Sequence, residues 1–222
     1  MDLKVLYEDN HLIAVFKPTG ILTQRDKSND SSLMEEVKEY LREKYQKPGN
    51  VFLGLLHRLD RPVSGIVLFA KTSKGASRLS EQIRNHQTIK TYQVIVIGKP
   101  KNNQATLIDY LKKDKERNRV VLSKDPKRGF EKAELEYETI NSNKKYSLLK
   151  INLKTGKPHQ IRSQLASIGC PVVGDVKYGA KTTLADKSIM LCATDLEFKL
   201  ATKQDVYKIS ITIPKKWKNM LK

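Results

Sequence analysis

A chain of 222 residues can bury one sizeable core, or two lobes sharing a cleft, without disulfide or metal staples. Its 42 Lys and Arg outnumber its 24 Asp and Glu to give a net charge of +18, which points to a polyanionic partner where it does not serve solubility alone. Two cysteines, Cys170 and Cys192, exclude a disulfide scaffold, no apolar run approaches the roughly 20 residues of a membrane span, and nothing at the N-terminus reads as a signal peptide; a cytoplasmic location without a membrane partner is expected.

Residues 3 to 17 read as two short strands joined by a turn at Glu8-Asp9-Asn10, followed by a polar loop from Gly20 to Asp30. Ser32-Leu33-Met34-Glu35 has the form of a capping box and predicts a helix to about Tyr45, ended by Lys47-Pro48-Gly49-Asn50. A strand over 66–71 precedes a helix from Ser73 to about Asn85, with Ala76, Leu79 and Ile83 at helical spacing, and then a long strand containing Tyr92. From residue 104 to 154 the pattern is of strands alone, over 105–111, 119–123, 133–141 and 146–154. Helix returns over 159–168, with Gly169 suited to its C-terminal cap and Pro171 beyond, and strands near 189–199 and 206–213 finish the chain. Strands joined by hairpins with few helices define the expected fold class as α+β, with a mixed, largely antiparallel sheet in a single domain over 1–222.

The basic residues are not spread evenly. Residues 99–132 hold eleven Lys or Arg against five acids, and residues 199–222 hold seven Lys against one acid. Both stretches are candidates for the walls of a nucleic-acid groove, although a lysine-rich tail is also often merely solvated.

The fifteen residues from His57 to Lys71, HRLDRPVSGIVLFAK, set one carboxylate, Asp60, between Arg58 and Arg61, and close it off with Pro62. Pro62 cannot donate to a sheet and disfavours helix before it, so 58–61 should be a loop leading into a buried apolar strand. A functional carboxylate belongs in such a place, held at the edge of a core by a rigid strand. An isolated RLDR, by contrast, is most simply a surface salt bridge of Asp60 with Arg58 or Arg61.

This segment resembles the signature of the RluA-like pseudouridine synthases, and two further blocks do so in the same order. Thr88-Ile89-Lys90-Thr91-Tyr92, running into a strand that ends at Gly98, is similar to the second motif of that family. Leu153 to Arg162, continuing through Gly174-Asp175 to Tyr178-Gly179, is similar to the third. The start of the chain, Val5 to Pro18, fits the way such catalytic domains begin, so an N-terminal RNA-binding module of the S4 type is not expected. The resemblance implies a bent sheet with helices around a central RNA-binding cleft, and isomerisation of uridine to pseudouridine in structured ribosomal or transfer RNA. No cofactor and no metal are implied, and a monomer is expected.

By that resemblance Asp60 is the essential aspartate, attacking the nucleotide or assisting glycosidic cleavage. Tyr92 packs on the flipped uracil and is a candidate for proton removal, while a packing tyrosine is the ordinary reading of such a position. Arg162 pairs with the catalytic aspartate. Arg58 enters the stack as the base leaves, and His57, Arg61, Lys90, Lys157 and Ile161 complete the expected RNA contacts. His57 and His159 lack a clustered carboxylate or thiolate at ligand spacing, so no metal site is read from them. Lys157 stands where relatives usually carry arginine, and Leu191-Cys192-Ala193 where histidine is common in place of the cysteine. The alternatives are a non-catalytic RNA-binding protein or chaperone on the same scaffold, and a glycosidase, which would want two carboxylates where the motifs supply one.

Overall fold

The computed structural model describes residues 3–26, 30–203 and 205–221. The chain divides into two compact units, Met1–Thr88 with Asp195–Ile211, and Ile89–Thr194 with Thr212–Lys222.

In the first unit, strands β1 (Val5–Glu8) and β2 (Leu12–Lys17) form a hairpin. Its turn is set by Asp9, whose Oδ1 accepts the N–H groups of His11 and Leu12 at 2.7 and 2.6 Å. Helix α1 (Leu33–Lys44) opens on the expected capping box between Ser32 and Glu35 and ends at Tyr45. The two-residue strand β3 (Gly54–Leu55) and the fully buried β4 (Ser64–Ala70) pair with each other, and β4 pairs with β2, both ladders antiparallel. Helix α2 (Ser73–Arg84) starts from Thr72, whose hydroxyl accepts the Gly75 N–H. Register places Leu12 and Ala14 opposite Ala70 and Leu68, and this face meets Leu79, Leu196, Phe198 and Ile209 in one apolar core. Each large side chain taken from water there contributes about 1.5–3 kcal/mol.

Glu8 closes the far end of this unit. Its carboxylate accepts from Lys44 Nζ (2.7 Å), Tyr45 OH (2.7 Å), Lys71 Nζ (2.6 Å) and Tyr40 OH (3.2 Å). Burial alone would push this acid up, but the hydrogen bonds from Lys44, Lys71 and Tyr45 outweigh it and hold the group down at about 2.

The second unit is a run of antiparallel neighbours in the order β5 (Ile89–Ile97), β9 (Tyr146–Leu153), β8 (Glu131–Ser142), β6 (Gln104–Asp114) and β7 (Arg119–Ser123). Helix α3 (Gln160–Ser167) and a 3-10 turn at Val176–Tyr178 pack on it, with Leu111, Val120, Ala133 and Tyr178 in a shared cluster. Strand β10 (Leu191–Lys199) begins in this unit and ends in the first, where it pairs with β11 (Val206–Ser210).

The α+β class with a mixed sheet is as the sequence predicts, and the stretch 104–154 is built of strands as expected. Ends differ by a few residues; β4 starts at Ser64, where Gly65, at a φ of +132° that suits glycine, already pairs with Lys17 of β2. The short helix α4 (Lys215–Asn219) is not foreseen by the lysine-rich composition there; Trp217, 3% exposed, anchors it. Residues 27–29 of the predicted polar loop lie outside the described residues. Among the described residues no helix is long and apolar enough to cross a membrane.

Candidate active site

The loop that carries Asp60 runs from the end of β3 into β4, and two buried side chains from elsewhere in the first unit hold it. Thr23, 4% exposed, donates its hydroxyl to Leu59 O at 2.8 Å and accepts Leu59 N–H at 3.1 Å, so a single oxygen satisfies both backbone groups of the residue before the aspartate. Lys17 is fully buried at the end of β2. Its Nζ donates to the carbonyls of Pro18 (3.0 Å), Arg61 (3.2 Å) and Val63 (2.8 Å). Three acceptors match the three hydrogens of an ammonium. Burial lowers the Lys17 pKa to about 8; the Asp60 charge pulls it partly back up, and Arg61 opposes that.

Within the loop, Val63 N–H bonds to Asp60 O at 3.0 Å, closing a turn over Arg61 and Pro62. Arg61 reaches across to Gly20 O (2.8 Å) and Asp30 (2.8 Å), which fastens the loop to the segment before α1. Arg58 is exposed and Asp60 half-buried. His57 accepts the Leu68 N–H on its Nε2 at 3.1 Å, committing that ring nitrogen to β4. The loop thus has Asp60 and Arg58 at its surface and a backbone fixed from three sides.

In the second unit Tyr92 is 7% exposed on β5, opposite Ile151, and Lys90 is half-buried two residues before it, its pKa lowered by burial. Arg162 and Ile161 lie in the first turn of α3, each 5% exposed, so Arg162 is not a solvated helix residue. Arg162 Nε donates to Asp175 Oδ2 at 2.6 Å and Nη2 to Oδ1 at 2.9 Å, a two-point pair between groups 6% and 2% exposed. Asp175 reaches that place through Gly174, whose φ is +88° and where a Cβ would stand 2.7 Å from Ser188 O.

The start of α3 is anchored by Gln160, whose Oε1 accepts from Thr155 Oγ1 and Lys157 N–H and whose Nε2 donates to Glu134 O. Lys157 is ion-paired to Glu131. His159, in left-handed conformation, shares a 2.8 Å hydrogen bond with Tyr178 OH, and the Arg162 guanidinium lies 5.1 Å from the Tyr178 ring centroid. Of the motif residues around Arg162, Asp175 pairs with it and the Tyr178 ring lies beside it.

The sequence profile of the RNA pseudouridylate synthase family matches residues 11–167. This chain belongs to that family. A tRNA pseudouridine synthase C of Vibrio cholerae serotype O1 is 30% identical, with 99% of this chain and 94% of that one aligned. A ribosomal large subunit pseudouridine synthase C of Rickettsia prowazekii is 34% identical over 80% of this chain and 56% of that protein. The solved human RNA pseudouridylate synthase domain containing 4 has the same fold, with a TM-score of 0.81 at 19% identity, covering 98% of this chain and 91% of that one.

The pseudouridine synthase, an isomerase of RNA, thus presents its motif residues in two rigid settings. One holds Asp60 with Lys17, Thr23 and Arg61, and the other holds Arg162 with Asp175 and Tyr178. Lys17, Thr23 and Asp175 are the functional neighbours that the sequence reading did not single out. Asp175 stood within the third motif block and Lys17 within the opening segment, so both were visible as letters without a role. The cysteine that departs from the family pattern, Cys192, is buried at the start of β10.

Proposed function

We propose that this RNA pseudouridine synthase acts on uridine in structured ribosomal or transfer RNA, in the cytoplasm, as a monomer and without a cofactor, and that Asp60, Tyr92 and Arg162 carry the reaction. The reaction breaks the bond from N1 of uracil to the ribose, turns the base, and rejoins it through C5, whose proton must then leave. No electron or phosphate is exchanged, so the demand on the protein is for a fixed anion, a group to handle one proton, and a place for an extruded base. The observation that carries the reading is the construction of the Asp60 loop, in which Thr23 and a fully buried Lys17 are spent on fixing the backbone on either side of one half-buried carboxylate. A surface salt bridge needs no such support, whereas a carboxylate acting at a ribose does. Asp60 stabilises positive charge on the sugar or bonds to it; Tyr92 packs on the base; Arg162 is the partner that the family resemblance assigns to Asp60.

Relatives named for transfer RNA and for the large ribosomal subunit stand at 30% and 34% identity, so both substrate classes are carried forward. Mapping pseudouridine in ribosomal and transfer RNA from cells with and without the protein should reveal a site lost on deletion, restored by the wild type and not by Asp60→Asn. Unchanged maps, with RNA bound equally by both proteins, would return the chain to a binding role.

A further inference from the structure

One large cavity of the second unit is lined by none of Asp60, Tyr92 and Arg162, and shares only Tyr178 with the setting of Arg162. It measures about 620 Å³ and opens where β7, the C-terminal half of α3 and the turn at 176–179 come together. Its size falls within the roughly 300–1,000 Å³ of small-ligand sites. Its apolar lining includes Val121, Leu122 and Ala166, with Val121 left 45% exposed. Its lining also carries Arg119 and Lys177, and among the described lining residues none is acidic.

These cations are placed rather than loose. Lys177 Nζ donates to Asn118 O at 2.9 Å, at the tip of the β6–β7 hairpin, and the Arg119 guanidinium lies 5.9 Å from the Tyr178 ring centroid. Tyr178 is the part shared with the motif residues, since its hydroxyl accepts Val120 N–H at 2.7 Å while its ring also lies beside Arg162. Because Val120 N–H leaves the sheet on the side away from β6, strand alternation sends the Leu122 N–H out of the same edge.

A cavity with apolar side chains, two placed cations and an edge N–H in its lining matches the two halves of a nucleotide, a base or ribose against carbon and a phosphate against charge. We propose that it is a subsite for a second nucleotide of the substrate RNA strand, apart from the uridine that reacts, with its phosphodiester between Arg119 and Lys177. The inference rests on the RNA reading above. An RNA strand is favoured over a free nucleotide because Arg119 starts β7 within the basic stretch 99–132, and Lys177 is bonded to the hairpin tip beside it, so that stretch offers further phosphate contacts along its length.

The test is a fluorescence titration of a uridine-containing stem-loop RNA with Asp60→Asn protein, in which turnover is stopped, at several salt concentrations. Arg119→Gln and Lys177→Gln should each weaken binding by roughly fivefold to tenfold and reduce the salt slope by about one, since each phosphate contact releases counterions. Ser167→Trp, at an exposed position on the rim, should weaken binding with the net charge unchanged, because it fills the cavity. RNA bound as tightly by all three variants as by the parent would overturn the subsite while leaving the RNA reading intact. Uridine monophosphate bound by the parent and lost in Arg119→Gln, with RNA affinity unaltered, would also overturn it and assign the cavity to a free nucleotide. A parent that bound no RNA would remove both the subsite and the reading beneath it.

Discussion

Arg162 and Asp175 form a buried two-point ion pair, 2.6 and 2.9 Å, joining the first turn of α3 to the segment before the 3-10 turn. Two of the five N–H groups of the guanidinium are used in this way, and the plane of the fork is fixed by them. Held along one edge, the guanidinium keeps one orientation at the start of α3 without searching for it.

Asp175→Asn keeps the shape of the side chain, removes its charge, and leaves Arg162 buried beside an amide. The substitution should lower stability by about 3–5 kcal/mol, the usual cost of breaking a buried pair, and lower the single-turnover rate of pseudouridine formation with a smaller effect on RNA affinity. Urea denaturation and single-turnover assays on the refolded protein measure the two separately. Full rate in a protein destabilised as expected would show that Asp175 serves the fold alone.

Lys17 predicts an alkaline limit to activity. With a pKa of about 8 it is an ammonium at neutral pH, giving one hydrogen to each of three carbonyls, two of them in the Asp60 loop. The neutral amine keeps two hydrogens, so above pH 8 one carbonyl loses its donor and the loop loosens. Stability moves the other way, because the folded pKa lies below the ordinary 10.5: between 8 and 10.5 the unfolded chain retains the proton that the folded chain has released, and unfolding becomes harder as pH rises. Below pH 8 both states are protonated and the burial cost is present in full. The turnover rate should therefore fall with an apparent pKa near 8 while urea stability does not fall with it. In Lys17→Met activity should be low at every pH and the limb near 8 absent; a limb that persisted there would belong to another group.

What the sequence showed and what it hid divide by the distance along the chain between partners. Helix α1 was legible because Ser32 and Glu35, three residues apart, announce its start, and β4 because an apolar run follows Pro62 and Gly65. Asp60, Tyr92 and Arg162 stood out as candidates because each sits in a contiguous block of residues with a recognisable order. Thr23 and Lys17 were not, since each acts on backbone groups 36 to 46 residues away and nothing in their own neighbourhood marks them. Arg61 shows the same limit: it directly follows the aspartate in sequence, and the fold turns its guanidinium to Asp30 and Gly20. Helix α4 was hidden by composition, its lysines reading as a solvated tail while a single Trp217 supplied the burial.

Glu8 predicts the acid limit of the first unit. Its side chain is 10% exposed, it accepts from two lysines and two tyrosines, and its folded pKa of about 2 lies below the ordinary carboxylate value. A carboxylate lowered on folding contributes stability that is complete above its ordinary pKa of 4.5 and lost as pH falls through about 2, because the unfolded chain takes up the proton first. With allowance for the solvent that reaches the Lys44 end, the contribution at neutral pH is on the order of 2 kcal/mol. Glu8→Gln should accordingly cost about that much in urea denaturation at pH 7, and the difference from wild type should narrow steadily between pH 4 and pH 2.5. The neutral amide can still accept from Tyr40 and Tyr45, so the narrowing isolates the charge in the cluster from its hydrogen bonds. A stability difference that stayed constant over that interval would mean that Glu8 is held by packing and not by the lysines around it.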